Sequence, residues 1–476
     1  MKKQIIKRVM GPVLCVCLVT GCAFTDRLPF LNTDGRAVET INEQAQTDGQ
    51  NAAEDVPAGD ENQDASKEAE ELLTRVRILN DSPDLQESFE KLANAYKVES
   101  GVETEVALAT DDVYRSVLEA GNKKEKPATV FMLHSKEQIE DYDAFCENLS
   151  DAPFAGRALS DSFVCKNNRG EVRGVMLSTD FYGLIYNRDI LSAYMGLPDA
   201  LIYSVSEIDS FEMLSKVATD IQKHKAELKR RTNLPVKGAF TSSYIDTSSG
   251  WKFSRLLLND TVYYEEKDGM GVFSKKLKGK YLPQYKEVLD LMVSNATCDD
   301  KELQEKSGGS AVKEFAAGEA AFYFGGTWSL NNILGSGKIT ASQIGMMPLY
   351  FANEACQEGP GLLNATYVCI NREAKERDKE AALEFLDWCV TDADAQKILM
   401  DEMGYTLPYE TVSFEEYGNV LVKDAMQIAQ SGAVMKEDRY ALFPSREWEK
   451  AFEGAVKAYV LKEGKWDEVE AVFADQ

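Results

Sequence analysis

Histidine is nearly absent from this chain, which has only His134 and His224 among 476 residues. So small a number argues against a histidine-rich metal centre and against most catalysis by imidazole. Basic residues are also a minority, since 53 lysines and arginines face 79 aspartates and glutamates, for a formal net charge of −26. Because nucleic-acid binding depends on clustered positive charge, we do not expect a nucleic-acid partner.

The familiar motifs of catalysis and redox chemistry are missing as well. The sequence contains no GxxxxGK[ST] loop, no GxSxG, no HExxH and no CxxC pair. We therefore expect no enzymatic activity, metal or cofactor. The carboxylate pairs Glu265–Glu266 and Asp299–Asp300 are interpreted as solvated turns. The alternative is an exported glycoside hydrolase, whose chemistry needs two carboxylates flanking a bond.

The first 22 residues have the pattern of an export signal. A basic segment, residues 2–8, precedes an apolar stretch, residues 9–19, that is too short to cross a bilayer as a helix. The sequence Val-Thr-Gly that ends at Cys22 resembles the lipobox of bacterial lipoproteins. We predict a signal peptide over residues 1–21 and acylation of Cys22, which would attach the protein to the outer face of the bacterial cytoplasmic membrane. A plain cleavable signal followed by an incidental cysteine is the alternative.

The next segment is acidic and poor in periodic apolar residues. Residues 23–70 carry 12 acids and three bases. Such a composition cannot bury enough surface to offset the entropy of ordering, so residues 22–73 are predicted to be a disordered tether behind the lipidated cysteine. As a random coil this tether would reach on the order of 40 Å.

Six cysteines follow this segment, an even number that permits up to three disulfides in an exported protein. Buried free thiols are equally compatible with the sequence. The six are Cys146, Cys165, Cys298, Cys356, Cys369 and Cys389.

From residue 74 onward, strand and helix patterns alternate, which predicts an α/β fold. The pattern predicts short apolar strands at 76–79, 102–107, 129–133 and 320–324 and a longer strand passage at 174–186. Helices are predicted at 83–101, 112–120, 189–195, 206–231, 283–292, 311–317, 378–390, 392–402, 446–462 and 465–474. The pair Asp268-Gly269 between apolar flanks predicts a β-hairpin over 262–273.

Four passages resemble, in the right order, the extracellular solute-binding proteins of ABC importers, specifically the maltose-binding-protein-like sugar-binding class. They are GVMLSTDFYGLIYNRDIL at 174–191, FAAGEAAFYFGGTW at 315–328, IGMMPL at 344–349 with 359–367, and KEAALEFL at 379–386 with Gln396. The resemblance implies two α/β lobes joined by hinge strands, with a ligand cleft between them. One lobe would comprise 74–181 plus 366–406, and the other 184–350 plus 410–476.

The same resemblance implies a function. The protein would capture a carbohydrate, such as an oligosaccharide, between its lobes and deliver it as a monomer to the permease subunits of an ABC importer. Two alternatives keep the binding fold: another polar solute as the ligand, or a sensor kinase as the partner that receives the ligand signal.

Sugar recognition needs flat aromatic faces together with carboxylates or amides that bind hydroxyl groups. Trp328, which follows Gly326, matches a cleft tryptophan of the family, and Asp180 matches a position where the family often places a sugar-binding carboxylate. The further candidates are Trp251, Trp448, Tyr367, Asn80 and Asp81. Asn80 and Asp81 end the first strand, where open α/β sheets bind ligands. Structural roles are the alternative for each of them, and Trp388 and Trp466 are interpreted as structural.

The chain departs from the family at residues 197–206, where the run LIYSV at 201–205 replaces the usual Pro-Thr-Thr-Trp-Asp stretch. The loop around Cys356 is also unusual. Both departures leave the identity of the ligand open.

Overall fold

The computed structural model describes residues 73–123, 126–242, 250–269, 276–303, 305–351, 358–413 and 415–476. Every described residue lies in one compact unit, Ser66–Gln476. The predicted signal peptide, Cys22 and residues 23–72 of the predicted tether lie outside the described residues. Within the described ranges, no helix combines the length and apolar character that a membrane span requires.

Strands and helices alternate along the described chain. The strands are β1 (Arg75–Asn80), β2 (Glu103–Leu108), β3 (Val130–Leu133), β4 (Val164–Lys166), β5 (Val172–Asn187), β6 (Gly238–Phe240), β7 (Ala320–Gly326), β8 (Ile344–Met347) and β9 (Gly361–Ile370). The α-helices are α1 (Gln86–Ser100), α2 (Asp111–Lys123), α3 (Lys136–Asp141), α4 (Pro153–Gly156), α5 (Arg188–Met195), α6 (Phe211–Thr232), α7 (Leu258–Asp268), α8 (Leu282–Ser294), α9 (Asp300–Leu303), α10 (Gly308–Ala316), α11 (Leu330–Leu334), α12 (Glu376–Thr391), α13 (Ala393–Lys397), α14 (Val420–Gln430), α15 (Arg446–Val460) and α16 (Trp466–Ala474). The π-helical segments are Lys252–Leu257 and Ile398–Glu402.

One mixed sheet runs through the molecule, with strand order β2-β1-β3-β9-β5-β7-β6, and both β4 and β8 pair with β5. The first lobe is built on the parallel strands β2, β1 and β3. The second lobe is built on β7 with β6 and on β8. Strand β5 pairs with β4 of the first half and with β7 and β8 of the second, and β9 pairs with β3 of the first half and with β5. These two antiparallel strands connect the halves of the sheet as the expected hinge strands would, and we call them the crossing strands. The α/β class and the two-lobed fold are confirmed.

Local sequence explains why β3 and α1 form in the first lobe. All four residues of β3 are buried, as expected of a strand covered on both faces. Helix α1 follows a 3-10 turn that starts at Pro83, and it buries Phe89, Leu92, Ala93 and Tyr96 on one face. The helix ends where Gly101 adopts a φ of 75°, a conformation that glycine takes without steric cost.

The predicted hairpin at 262–273 is wrong for the residues that the structure describes. Residues 258–268 form helix α7, and Gly269 ends it by donating its N–H to the carbonyls of Glu265 and Glu266. An Asp-Gly pair suits a helix C-terminus as well as a hairpin turn. Burial of seven consecutive residues, 258–264, within the second lobe decides for the helix.

Two further expectations are refined. Helix α6 begins at Phe211 rather than near Ser206, because the Ser210 hydroxyl caps it by accepting from the Met213 N–H. Of the six cysteines, the five described ones are free thiols, and Cys356 lies outside the described residues.

A charged pair is buried at the centre of the second lobe. Lys436 Nζ donates to Asp260 Oδ2 at 2.6 Å and to the Leu349 carbonyl at 2.9 Å, and both charged side chains have zero exposure. The Tyr182 hydroxyl donates to the other carboxylate oxygen at 2.6 Å. Because Tyr182 belongs to β5 and Asp260 to α7, the hydrogen bond between them fixes this helix against strand β5.

Candidate functional site

Asp180 lies on crossing strand β5, where three elements converge on its carboxylate. The Thr327 hydroxyl, directly after β7, donates to Oδ1 at 2.9 Å. The Asn364 amide, on β9, donates to Oδ2 at 3.0 Å. The Phe181 N–H donates to the same Thr327 oxygen at 3.2 Å, which leaves the hydroxyl proton for Asp180. A carboxylate from one crossing strand is therefore held by neutral donors from its two neighbouring strands.

The electrostatics of Asp180 set it apart from the other buried acids. Burial raises the pKa of its carboxyl above the ordinary value, and the hydrogen bonds from Asn364 and Thr327 partly offset that rise. In the part of the chain that the structure describes, its partners are all uncharged. A carboxylate oxygen accepts more than one hydrogen bond, so Asp180 retains capacity for further donors such as hydroxyl groups.

Two tryptophans pack against each other next to Thr327, which binds this carboxylate. Trp328 follows Thr327 in the chain, and its indole lies against the backbone of Gly326. A Cβ at residue 326 would come within 2.1 Å of the Trp328 ring, so glycine is required there for the ring to occupy this position. The Trp251 ring lies 6.0 Å away, centroid to centroid, at an angle of 39°. Both tryptophans are half-buried and leave part of their surface open to solvent.

A second polar group lies on the first-lobe side of β9. Asp81 follows the end of β1, and its carboxylate is hydrogen-bonded to Nε2 of His134, the residue after β3. The other ring nitrogen of His134 lies 3.1 Å from the carbonyl of Ala365. Ala365 is the neighbour of Asn364, whose side chain contacts Asp180. Through β9, the site thus has contributions from the crossing strands and from both lobes.

The structure connects Asp180 with Gly326 and Trp328 through Thr327, and Trp251 packs against Trp328. Asp81 is linked to this group only through His134 and the Ala365 carbonyl on β9. It does not bring Asn80, Tyr367 or Trp448 to Asp180. Asn80 is buried, and its amide is used within the turn after β1, where it bonds Ser82 and Gln86.

The remaining two candidates are enclosed by other parts of the protein. Tyr367 is 3% exposed. Burial raises the pKa of its phenol, and Glu437 and Cys165 are among its neighbours. Trp448 stacks on Phe452 and donates its indole N–H to the Phe473 carbonyl at 3.3 Å. Both aromatic rings pack as core residues.

Sequence reasoning missed Thr327, Asn364 and His134. Thr327 stands inside the GGTW passage, so that motif was the available signal. His134 follows a parallel strand, and the rule that selected Asp81 at the end of β1 applies equally to it. No sequence pattern pointed to Asn364. Its distinguishing feature is a left-handed backbone conformation, with a φ of 54°, which is visible only in the structure.

The tryptophans interpreted as structural do pack internally. Trp388 lies against Tyr96 and Phe385, and Trp466 lies against Tyr285 and Tyr459.

The carboxylate pair Glu265–Glu266 is not a solvated turn, because both residues belong to α7. Glu265 accepts the backbone N–H groups of Lys278 and Lys280, and Glu266 binds Arg439. No group of three potential metal ligands occurs among the described residues.

Comparison with known proteins gives a family match. The model of the bacterial extracellular solute-binding protein family matches residues 87–425. No curated protein matches this chain.

Solved structures share the fold at low sequence identity. A family 1 extracellular solute-binding protein from Bifidobacterium longum subsp. infantis superposes with a TM-score of 0.58 at 14% identity, covering 85% of this chain and 98% of the other. Apo RafE from Streptococcus pneumoniae gives 0.58 at 14%, covering 84% and 97%. RafE has also been solved in complex with raffinose. The bacterial solute receptor AcbH, which has an exclusive preference for β-D-galactopyranose, gives 0.59 at 12%, covering 84% and 96%.

Proposed function

Since this chain belongs to the bacterial extracellular solute-binding protein family, we propose that its solute is a carbohydrate, which it captures between its two lobes and delivers to the permease of an ABC importer. The observation that carries this proposal is the half-buried pair Trp251 and Trp328 next to Thr327, which binds the Asp180 carboxylate. Among the described residues this carboxylate has only neutral partners. Aromatic faces stack on the C–H face of a sugar ring, while a carboxylate accepts its hydroxyl groups.

The relatives of known ligand support the same class of solute. RafE binds raffinose, and AcbH prefers β-D-galactopyranose. The Asp180 site also favours a neutral sugar over an acidic one, since among the described residues no cation pairs with the Asp180 carboxylate to offset its repulsion of an anionic ligand.

We infer that ligand capture closes the lobes about the crossing strands. The proposed boundaries are 74–181 plus 366–406 for one lobe and 184–350 plus 410–476 for the other. Asp180, at the end of the first-lobe segment, and Asn364, on β9, would then sit at the hinge itself. Ligand held there contacts both lobes and stabilises the closed form that docks on a permease.

The location follows from the N-terminal sequence. We propose that residues 1–21 direct export and that Cys22 is acylated. Residues 22–73 would then hold a monomeric, non-enzymatic receptor at the outer face of the bacterial cytoplasmic membrane.

A thermal-shift screen tests the ligand class. The protein is heated with neutral mono- and oligosaccharides, including raffinose and galactose, while the composition of each mixture is followed by chromatography. A sugar present at about 100 times its dissociation constant adds about 2.7 kcal/mol to the free energy of unfolding, which raises the melting temperature measurably. A shift without product formation supports the proposal. A shift with only non-sugar solutes would overturn it, and turnover of a sugar would establish an enzyme.

The raised pKa of Asp180 predicts that sugar affinity depends on pH. Hydroxyl donors favour the ionised carboxylate, so binding lowers its pKa relative to the free protein. Affinity is therefore full above the pKa of the free protein and is lost as the pH falls through it. Isothermal titration calorimetry across acidic pH measures this loss. The Asp180→Asn variant should bind more weakly and with a flatter pH profile, whereas an unchanged profile would remove Asp180 from the site.

A further inference from the structure

The last turns of α6 carry a concentration of positive charge that is unusual for this chain. Residues 223–237 contain six lysines and arginines and a single carboxylate, in a protein with a net charge of −26. We call residues 223–237 the basic end of α6.

Carboxylates compensate only part of this charge. Asp220 lies 3.9 Å from Lys223, and Glu319 lies 2.9 Å from Lys237. Glu227 is shared between Arg230 and Arg231. A fourth carboxylate, Asp199, lies 3.4 Å from His224 of the same segment. Four carboxylates thus face six lysines and arginines, and within the described ranges no ion pair joins Lys225 or Lys229 to an acid. Both lysines are exposed, and their spacing of four residues places them on one face of the helix.

A second lysine-rich stretch, residues 276–280, differs in this respect. Lys280 is paired with Asp268, and the Glu265 carboxylate accepts the backbone N–H groups of residues 278 and 280. Acidic side chains of α7 therefore contact residues 276–280, whereas acidic side chains are outnumbered by basic ones at the basic end of α6.

The basic end of α6 lies on the opposite side of the second lobe from the candidate site. After α6 the chain enters β6, which is parallel to β7 and pairs Gly238 with Ala320, the first residue of β7. Trp328 lies beyond the other end of β7. A strand of this length separates the two features by roughly 20 Å. A partner bound at the basic end of α6 therefore leaves the ligand site uncovered.

We propose that the basic end of α6 binds the phosphate headgroups of anionic phospholipids and so docks the second lobe on the membrane with the ligand site open to solvent. The proposal rests on the location proposed above and is independent of the ligand. Exposed ammonium groups on flexible stems suit a fluid array of phosphates. The acidic remainder of the surface does not prevent this contact, because charges farther than about 8 Å from the bilayer are largely screened at physiological salt.

Vesicle co-sedimentation tests the proposal with residues 66–476, which form a compact unit and carry no lipid. We expect binding to vesicles of phosphatidylglycerol and phosphatidylcholine, no binding to phosphatidylcholine alone, and loss of binding between about 0.1 and about 0.5 M salt. The double variant Lys225→Gln/Lys229→Gln should partition roughly 30-fold less. The control Lys450→Gln/Lys457→Gln changes the net charge equally on exposed positions of α15 and should bind normally.

Three results would overturn the proposal: equal binding to neutral vesicles, an equal loss in the α15 control, or binding of soluble polyphosphate without binding of vesicles. Both double variants should keep the sugar-dependent thermal shift of the parent. Failure of vesicle binding is thereby separated from failure of the proposed ligand class.

Discussion

Replacing Lys436 by methionine lowers the free energy of unfolding by about 3–5 kcal/mol, because the substitution leaves the fully buried Asp260 carboxylate without the one cation that pairs with it in the described part of the chain. The loss is measured by urea denaturation at neutral pH. Burial already raises the pKa of Asp260 in the folded protein. The folded variant therefore binds a proton that the unfolded chain releases. Its stability should fall as the pH rises from the ordinary aspartate pKa through the raised folded value, and recover at lower pH.

A double variant separates the lost charge from the lost packing. In Lys436→Met/Asp260→Asn neither member of the pair is charged, and the asparagine still accepts from Tyr182, so much of the stability should return. Lys457→Met, at an exposed position of α15, serves as the matched control and should be nearly neutral. If Lys436→Met were as stable as this control, the buried pair would not support the second lobe.

The Trp328→Ala variant should lose at least about 30-fold in affinity for the sugar that gives the largest thermal shift, the effect expected of a central aromatic contact. The variant removes a stacking face without altering the hydrogen bonds that hold Asp180. Trp328→Phe keeps an aromatic ring and should lose less. Calorimetry well below the melting temperature measures the dissociation constant directly, so that reduced stability does not distort the comparison.

Trp466→Ala is the matched control for this prediction. Trp466 packs against Tyr285 and Tyr459 in the second lobe and takes no part in the Asp180 site. Its replacement should lower stability while leaving the affinity unchanged. A Trp328→Ala protein that binds its sugar as tightly as the parent would place the ligand elsewhere in the molecule.

Periodic patterns determined most secondary structure in this chain, because they record which face of an element is buried. The helices at 446–462 and 465–474 are confirmed as α15 and α16, within two residues at each end. The exception at 262–273 is informative. The short apolar run before Asp268 is compatible with a strand and with a helix that is buried on all sides. Local sequence does not distinguish these two structures.

The sequence predicted only some of the residues of the candidate site. Trp328 and Asp180 belong to passages with the family pattern, and Thr327, the neighbour of Trp328, binds the Asp180 carboxylate. Asn80, Tyr367 and Trp448 carry suitable chemistry in suitable neighbourhoods of the sequence, yet their side chains are buried. A side chain's residue type states what it is able to bind, whereas its accessibility depends on how distant elements pack around it.

The sequence by itself determined the α/β class, the two crossings and the family. Each of these depends on residues that are close together in the chain. Tertiary structure alone decided that Thr327 and Asn364 hold Asp180, that His134 binds Asp81, and that Lys436 neutralises Asp260 from 176 positions away. Such pairs arise where crossing strands and packed helices exclude water, so a charged or polar group must find its partner across the fold. Sequence periodicity does not reveal these pairs, because the partners are close in space but far apart in the chain.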